Sequence, residues 1–157
     1  MRLVIVRLTV ILFGVFISLP VFTDDDHVQL ITDQLTNNEC SACHFSYPAS
    51  MLPEASWKKI MGNLENHFGE DASLDDQTTQ HITKYLVAHA GDTEFRSSKF
   101  VRGLNSQNPP IRITETNYWI RQHPAISKEN LQSGLAGLKS NCAVCHLKAE
   151  NGYYEKY

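Results

Sequence analysis

Cys40-Ser41-Ala42-Cys43-His44 and Cys142-Ala143-Val144-Cys145-His146 place the same set of two thiols and one imidazole near opposite ends of a 157-residue chain. Cys-x-x-Cys-His is the attachment signal for c-type haem. Each thiol adds to one porphyrin vinyl as a thioether, and the two-residue gap lets both sulfurs reach one edge of the ring. The adjoining His44 or His146 then donates a ring nitrogen to the iron. The two copies use all four cysteines. The chemistry expected is two haem c groups with their irons, held covalently by Cys40, Cys43, Cys142 and Cys145.

Two plainer chemistries use the same residues. Four thiolates can form a zinc tetrahedron, but most of the chain separates the pairs, far beyond zinc-ribbon spacing. Four cysteines of an exported chain can form two disulfides, yet cysteines three positions apart suit redox-active rather than structural bridges. Neither reading explains a His directly after each pair.

The group opposite each proximal His decides what the irons do. Of three methionines, Met1 lies in the leader, Met61 shares an apolar helix face with Trp57 and Leu64, and Met51 lies in a loop. No Met follows Met61, so local Met ligation of the second iron is not expected. Five further histidines are His27, His67, His81, His89 and His123. His67 follows His44 by 23 residues and His123 precedes His146 by 23. That mirrored spacing, with an apolar or aromatic context at both, points to His67 and His123 as the distal ligands, one per iron. A swap, with His67 serving the second haem, is open at this level. His89, His27 and His81 are the alternative ligands, and His81 and His89 read more simply as solvated or hydrogen-bonded helix histidines.

Helices must carry these groups. Asp24-Asp25-Asp26 can cap a helix with Val28, Ile31 and Leu35 on one face, delivering the first motif at its end. A Pro-bearing loop follows from Phe45 to Pro53. Trp57, Ile60, Met61, Leu64, His67 and Phe68 repeat with helical period from about Ser56, and Gly69 stops them. A third helix opens at Ser73 with Asp76 as a capping-box partner, buries Leu74, Ile82, Tyr85 and Leu86, and ends at Gly91. Phe95 to Leu104 can form a short helix before Asn108-Pro109-Pro110 breaks it. Ile111 to Thr116 reads as extended, Tyr118 to His123 as a helical turn. Ser127 caps a last helix with Leu131, Leu135 and Leu138, which leads into Cys142. The class is all-α.

Residues 1–23 read as a secretory signal: Arg2 and Arg7, an apolar run from Leu8 to Phe22, then an abrupt polar switch. Val21 and Thr23 make a poor cleavage site, so an uncleaved membrane anchor is the alternative. Either way the body is exported, which gives a periplasmic location. The expected organisation is 1–23 leader, 24–105 N-terminal haem region and 106–157 C-terminal haem region. A mature chain of 134 residues leaves 67 per haem, too few for an ample core. Haem is therefore expected to form much of the core, and the apoprotein to be largely unfolded. Without Arg2 and Arg7 the chain has 12 Lys+Arg against 17 Asp+Glu, a net charge of −5. That argues against nucleic acid or anionic lipid as partner and is compatible with docking on a basic redox protein.

Together these residues resemble the small exported dihaem cytochromes c. The resemblance rests on Glu39 to His44 with Tyr47-Pro48, on Ser56-Trp57, His67-Phe68-Gly69, Ala72-Ser73-Leu74 and Tyr85-Leu86. In the second half it rests on Arg112-Ile113-Thr114-Glu115-Thr116, His123, Asn141 to His146, Ala149-Glu150 and Gly152. It implies a small cytochrome c-like helical domain followed by a shorter second haem-binding segment. It also implies bis-histidine ligation at both irons and a low-potential electron carrier. The implied partners are a membrane cytochrome b and a soluble, oxygen-binding c-type haem protein. One departure is Asn117, which separates Thr116 from Tyr118-Trp119 where the pair is expected to follow directly.

The rival to a carrier is a dihaem redox enzyme, peroxidase-like or oxygen-reducing, with one five-coordinate iron and His81 or His89 recruited as an acid–base group. Two histidines suited to distal ligation favour the carrier. A haem-based sensor would need an output domain, and the sequence has none.

Overall fold

Asp33 starts the first helix. In the computed structural model, which describes residues 27–93, 98–124, 126 and 141–155, its carboxylate accepts from the Thr36 amide at 2.8 Å. Helix α1 then spans Gln34–Ser41. The expected cap at Asp24–Asp26 is thus corrected: residues 28–33 are not helical, and the Val28 amide donates instead to Gly152 O at 2.7 Å. An Asp whose side chain folds back on the amide three residues ahead satisfies one orphan donor of the helix.

Helix α2 spans Glu54–Met61 and ends at Gly62, well short of the expected stop at Gly69. The helical period of Leu64, His67 and Phe68 survives only as a 3-10 turn, Leu64–Asn66, followed by a tight reversal. Helix α3 spans Asp76–Ala88; its cap is Asp75, not Ser73, whose amide bonds Asp71 instead. It closes at His89, not at Gly91. A Cβ on Gly91 would lie 2.4 Å from Ser50 O, so that glycine serves a close approach of backbones rather than a cap. Among the described residues Phe100 to Gly103 form turns rather than a helix; Phe95 and the Ser127 helix lie outside them. Ile113–Glu115 is a 3-10 turn where an extended run was expected. Helix α4, Asn117–Gln122, matches the expected turn before His123. Among the described residues no strand forms, only two isolated bridges, His27 with Tyr153 and His67 with Glu70.

The core has two parts. Helix α3 packs on α2 and α1. Ala49, Leu52, Trp57, Met61, Ile82, Leu86 and Ala90 are buried there, and the Trp57 indole donates to Ala49 O at 2.7 Å. Met61 is a packing residue, as its helix face implied. Val28, Met51 and Phe100 form the second cluster, with Tyr118 and Tyr154 against it. Met51 is 2% exposed, which removes it as a candidate ligand. Ile113 touches both clusters. The Ser56 hydroxyl donates to Pro110 O at 2.6 Å and ties the two halves of the chain.

Asp33 also meets His81 Nε2 at 3.0 Å. Thr36, through its side chain and then its amide, holds the Asp33 carboxyl down to about 2, and His81 adds to this against a small effect of burial. A carboxylate with a depressed folded pKa stabilises the fold above its unfolded value and stops doing so as pH falls through the folded one. The stability difference between the wild type and Asp33→Ala should therefore be constant near neutrality. It should shrink as pH falls from 3.8 toward about 2. Denaturant unfolding of the haem-loaded protein at stepped pH measures it.

Candidate haem sites

The first motif begins inside α1. Cys40 and Ser41 are its last residues, and Ala42 continues it in helical conformation. The His44 Nδ1–H donates to Phe45 O at 2.7 Å. A carbonyl only accepts, so this bond fixes the proton on Nδ1 and leaves Nε2 bare for a metal. The Tyr47 ring stacks on His44 at 5.1 Å.

Opposite stands His67. The expected helix would have carried it on a last turn; it sits instead in a reversal where its amide donates to Glu70 O at 2.7 Å. Phe68 has φ 59° and Gly69 φ 107°. A non-glycine residue in the left-handed region is strained by roughly 1–2 kcal/mol and needs support. Arg112 provides it, lying over the Phe68 ring at 4.2 Å. The outcome is that His67 faces His44, ring centres 6.1 Å apart and planes within 16°. Burial first, then the neighbouring His44 and Arg112, push the His67 pKa down.

The second site is built from turns. Thr116 caps α4: its hydroxyl accepts from the Trp119 amide at 3.2 Å and donates to Ile113 O at 2.8 Å. The extra residue Asn117 is the first of α4 and anchors it sideways, its side-chain amide donating to Gly103 O at 3.0 Å. His123 follows the helix. Its Nδ1–H donates to Trp119 O at 2.9 Å, and its ring stacks on the Trp119 indole at 4.4 Å. The second motif is a 3-10 turn, Cys142–Val144, with His146 N donating to Cys142 O at 2.8 Å. The His146 Nδ1–H donates to Glu155 O at 3.1 Å. His123 and His146 stand 5.9 Å apart with planes at 86°.

These separations are informative. A first-row metal takes an imidazole nitrogen at about 2 Å, and adding half a ring on each side puts two trans imidazoles about 6 Å apart, centre to centre. Both pairs have that spacing. In space His44 neighbours His67, and His146 neighbours His123. The other histidines are engaged elsewhere: His81 on Asp33, His89 on the Tyr85 carbonyl and ring, His27 against Tyr153 at 4.9 Å.

The cysteines suit thioether formation. None is paired in a disulfide, and among the described residues no three His, Cys, Asp or Glu side chains converge as a metal cluster. Burial and then Glu39 push the Cys40 thiol up to about 11, and burial raises Cys142. Such sites disfavour a thiolate and accept a neutral thioether. Tyr154, 5.6 Å from His146, has a buried hydroxyl without a hydrogen-bond partner, and burial raises its pKa. Phe68, Ile120, Val144 and Leu147, close to His67, His123 and His146 in the chain, are exposed apolar side chains, as are Leu35 and Tyr153. Apolar side chains left open next to the motifs suit a large apolar ligand.

Tyr154 and the Glu155 carbonyl carry no sequence signal of their own and act only through tertiary contact. Gly152 has φ 82° and lies against the entering chain, where a Cβ would fall 2.4 Å from Val28 O. Trp119 was visible only as part of an aromatic turn.

A family model described as dihaem cytochrome c matches residues 36–154. A solved diheme cytochrome c from Rhodobacter sphaeroides is similar at 46% identity and a TM-score of 0.72, covering 79% of this chain and 98% of its own. A second structure from that organism gives 44%, 0.65, 80% and 99%. The diheme cytochrome type c from Shewanella baltica OS155 gives 37%, 0.63, 78% and 86%. No curated protein matches.

The cap of α4 generates a test. Thr116 is fully buried, and a lost threonine cap costs about 1 kcal/mol. Thr116→Ala should lower the stability of the haem-loaded protein by about that amount in denaturant titration.

Proposed function

Because this chain belongs to the dihaem cytochrome c family, we propose that it works as a low-potential electron carrier in the periplasm with both irons held by histidine pairs. It is a dihaem c-type cytochrome, it binds two haems with their irons, and its activity is electron transfer. The haems supply the reversible one-electron change. Cys40 and Cys43 bind one of them and Cys142 and Cys145 the other, as thioethers. His44 with His67 would hold the first iron, and His146 with His123 the second. The observation that carries this reading is the pair of ring separations, 6.1 and 5.9 Å.

With two ring nitrogens on each iron, no coordination position would be left for a substrate, which supports a carrier without catalysis of its own. The engagement of His81 with Asp33 and of His89 with Tyr85 supports this, since neither is poised as an acid–base group. Two neutral imidazoles lack the thioether that raises the potential of His/Met cytochromes. Nδ1–H bonds to backbone carbonyls at His44, His123 and His146 make those rings stronger donors and lower it further.

Export is supported by the haem chemistry and the leader pattern of residues 1–23. Among the described residues no helix is long and apolar enough to cross a membrane. The partners are a membrane cytochrome b as donor and a soluble c-type haem protein as acceptor, met through acidic residues of a body that, without residues 1–23, has net charge −5.

Intact mass should show two haem additions. His67→Ala and His123→Ala should each convert one iron to a high-spin form that binds carbon monoxide when reduced. Entirely low-spin spectra in both variants would overturn the ligand assignment. A potentiometric titration should place both centres well below a His/Met cytochrome c; peroxidase turnover with a resting high-spin iron would replace the carrier by an enzyme.

A further inference from the structure

The two histidine pairs have the same separation and opposite orientations. His44 and His67 lie with ring planes 16° apart, His123 and His146 with planes 86° apart. Different neighbours hold them. Tyr47 lies alongside His44 with planes 28° apart, and Phe68 meets His67 edge-on at 4.8 Å. On the other side Trp119 grips His123 twice. Its carbonyl accepts the Nδ1 proton, and its indole stacks on the imidazole at 4.4 Å with planes 15° apart. His146 is turned independently by Glu155 O at 3.1 Å, with Tyr154 tilted beside it.

We propose that Trp119 is a positioning residue that holds His123 crosswise to His146, so that the second haem has crossed axial imidazoles while the first has parallel ones. The proposal rests on the ligation read above. Its consequence is electronic. Two parallel imidazoles both donate into the same d-orbital of a low-spin iron, separate it in energy from its partner and give a rhombic ion. Two crossed imidazoles act one on each orbital, leave them nearly degenerate and give a strongly anisotropic ion. Two haems with identical ligands are then distinguishable sites, which gives a one-electron carrier pair an internal direction.

The carbonyl hold is main chain and survives any substitution at position 119. Only the stack is removed by mutation, which makes its effect separable. Thr116 fixes the same turn through the Trp119 amide, so the indole is presented by a capped helix rather than by a free loop.

The test is the paramagnetic resonance spectrum of the oxidised, haem-loaded full chain. Wild type should show two low-spin signals of equal integrated intensity, one rhombic and one strongly anisotropic. His123→Ala should abolish the anisotropic one and leave the rhombic one. Trp119→Leu, which keeps an apolar side chain but no ring face, should move the anisotropic signal toward the rhombic form, and Trp119→Phe, which brings a ring face back, should restore it. Each variant is confirmed by mass to carry two haems. Two rhombic low-spin signals in wild type would overturn the crossed geometry without any variant. An anisotropic signal unchanged in Trp119→Leu would overturn the role of the indole. A high-spin signal in wild type would instead remove the bis-histidine reading on which both rest.

Discussion

Two pairs of imidazoles stand about 6 Å apart, centre to centre, and much of the chain is arranged around holding them there. Neutral imidazole keeps one proton, and a carbonyl facing Nδ1 draws it to that nitrogen. The protein sends it there with backbone carbonyls at three of the four rings: Phe45, Trp119 and Glu155. Carbonyl oxygens have fixed positions only where the backbone is fixed. The winding of α1 into the first motif, the Thr116 cap of α4 and the clamp of Val28 on Gly152 thus serve the ligands as much as the fold.

The fourth ring is handled differently. His67 sits in a reversal whose strained Phe68 is covered by Arg112, and a cation stands beside the ligand in place of a carbonyl. Arg112 comes from the C-terminal half, so the first site is completed only when the second half has folded onto the first. Ser56 bonding to Pro110 and Ile113 touching both core clusters express the same dependence. The second site depends on the first half in return, because Val28 and His27 seat the segment that carries Tyr154 and Glu155.

The apolar core is small and lies mainly between α2 and α3. Phe68, Ile120, Val144 and Leu147, chain neighbours of the site histidines, are exposed, as are Leu35 and Tyr153. An apolar surface of that kind is bound for a ligand, and covalent attachment adds the stability that a core of this size lacks.

The dihaem class and the all-α fold were legible from residue type and spacing, and the same spacing raised the expectation of His44, His146, His67 and His123 as ligands. Covalent chemistry leaves a local signature, and amphipathic period reports helices. Local pattern also misled: Asp24–Asp26 read as the cap of a helix over Val28 and Ile31, although the first helix starts only at Asp33, and Leu64, His67 and Phe68 kept helical spacing through a segment that Gly62 had already broken. Tertiary structure alone decided which ring faces which, because a pairing between residues 23 apart depends on a turn, a cap and a distant arginine. It also set the ring planes, parallel at one site and crossed at the other, through contacts with Trp119, Tyr154 and Glu155. Orientation is a property of neighbours in space, and no periodicity along the chain encodes it.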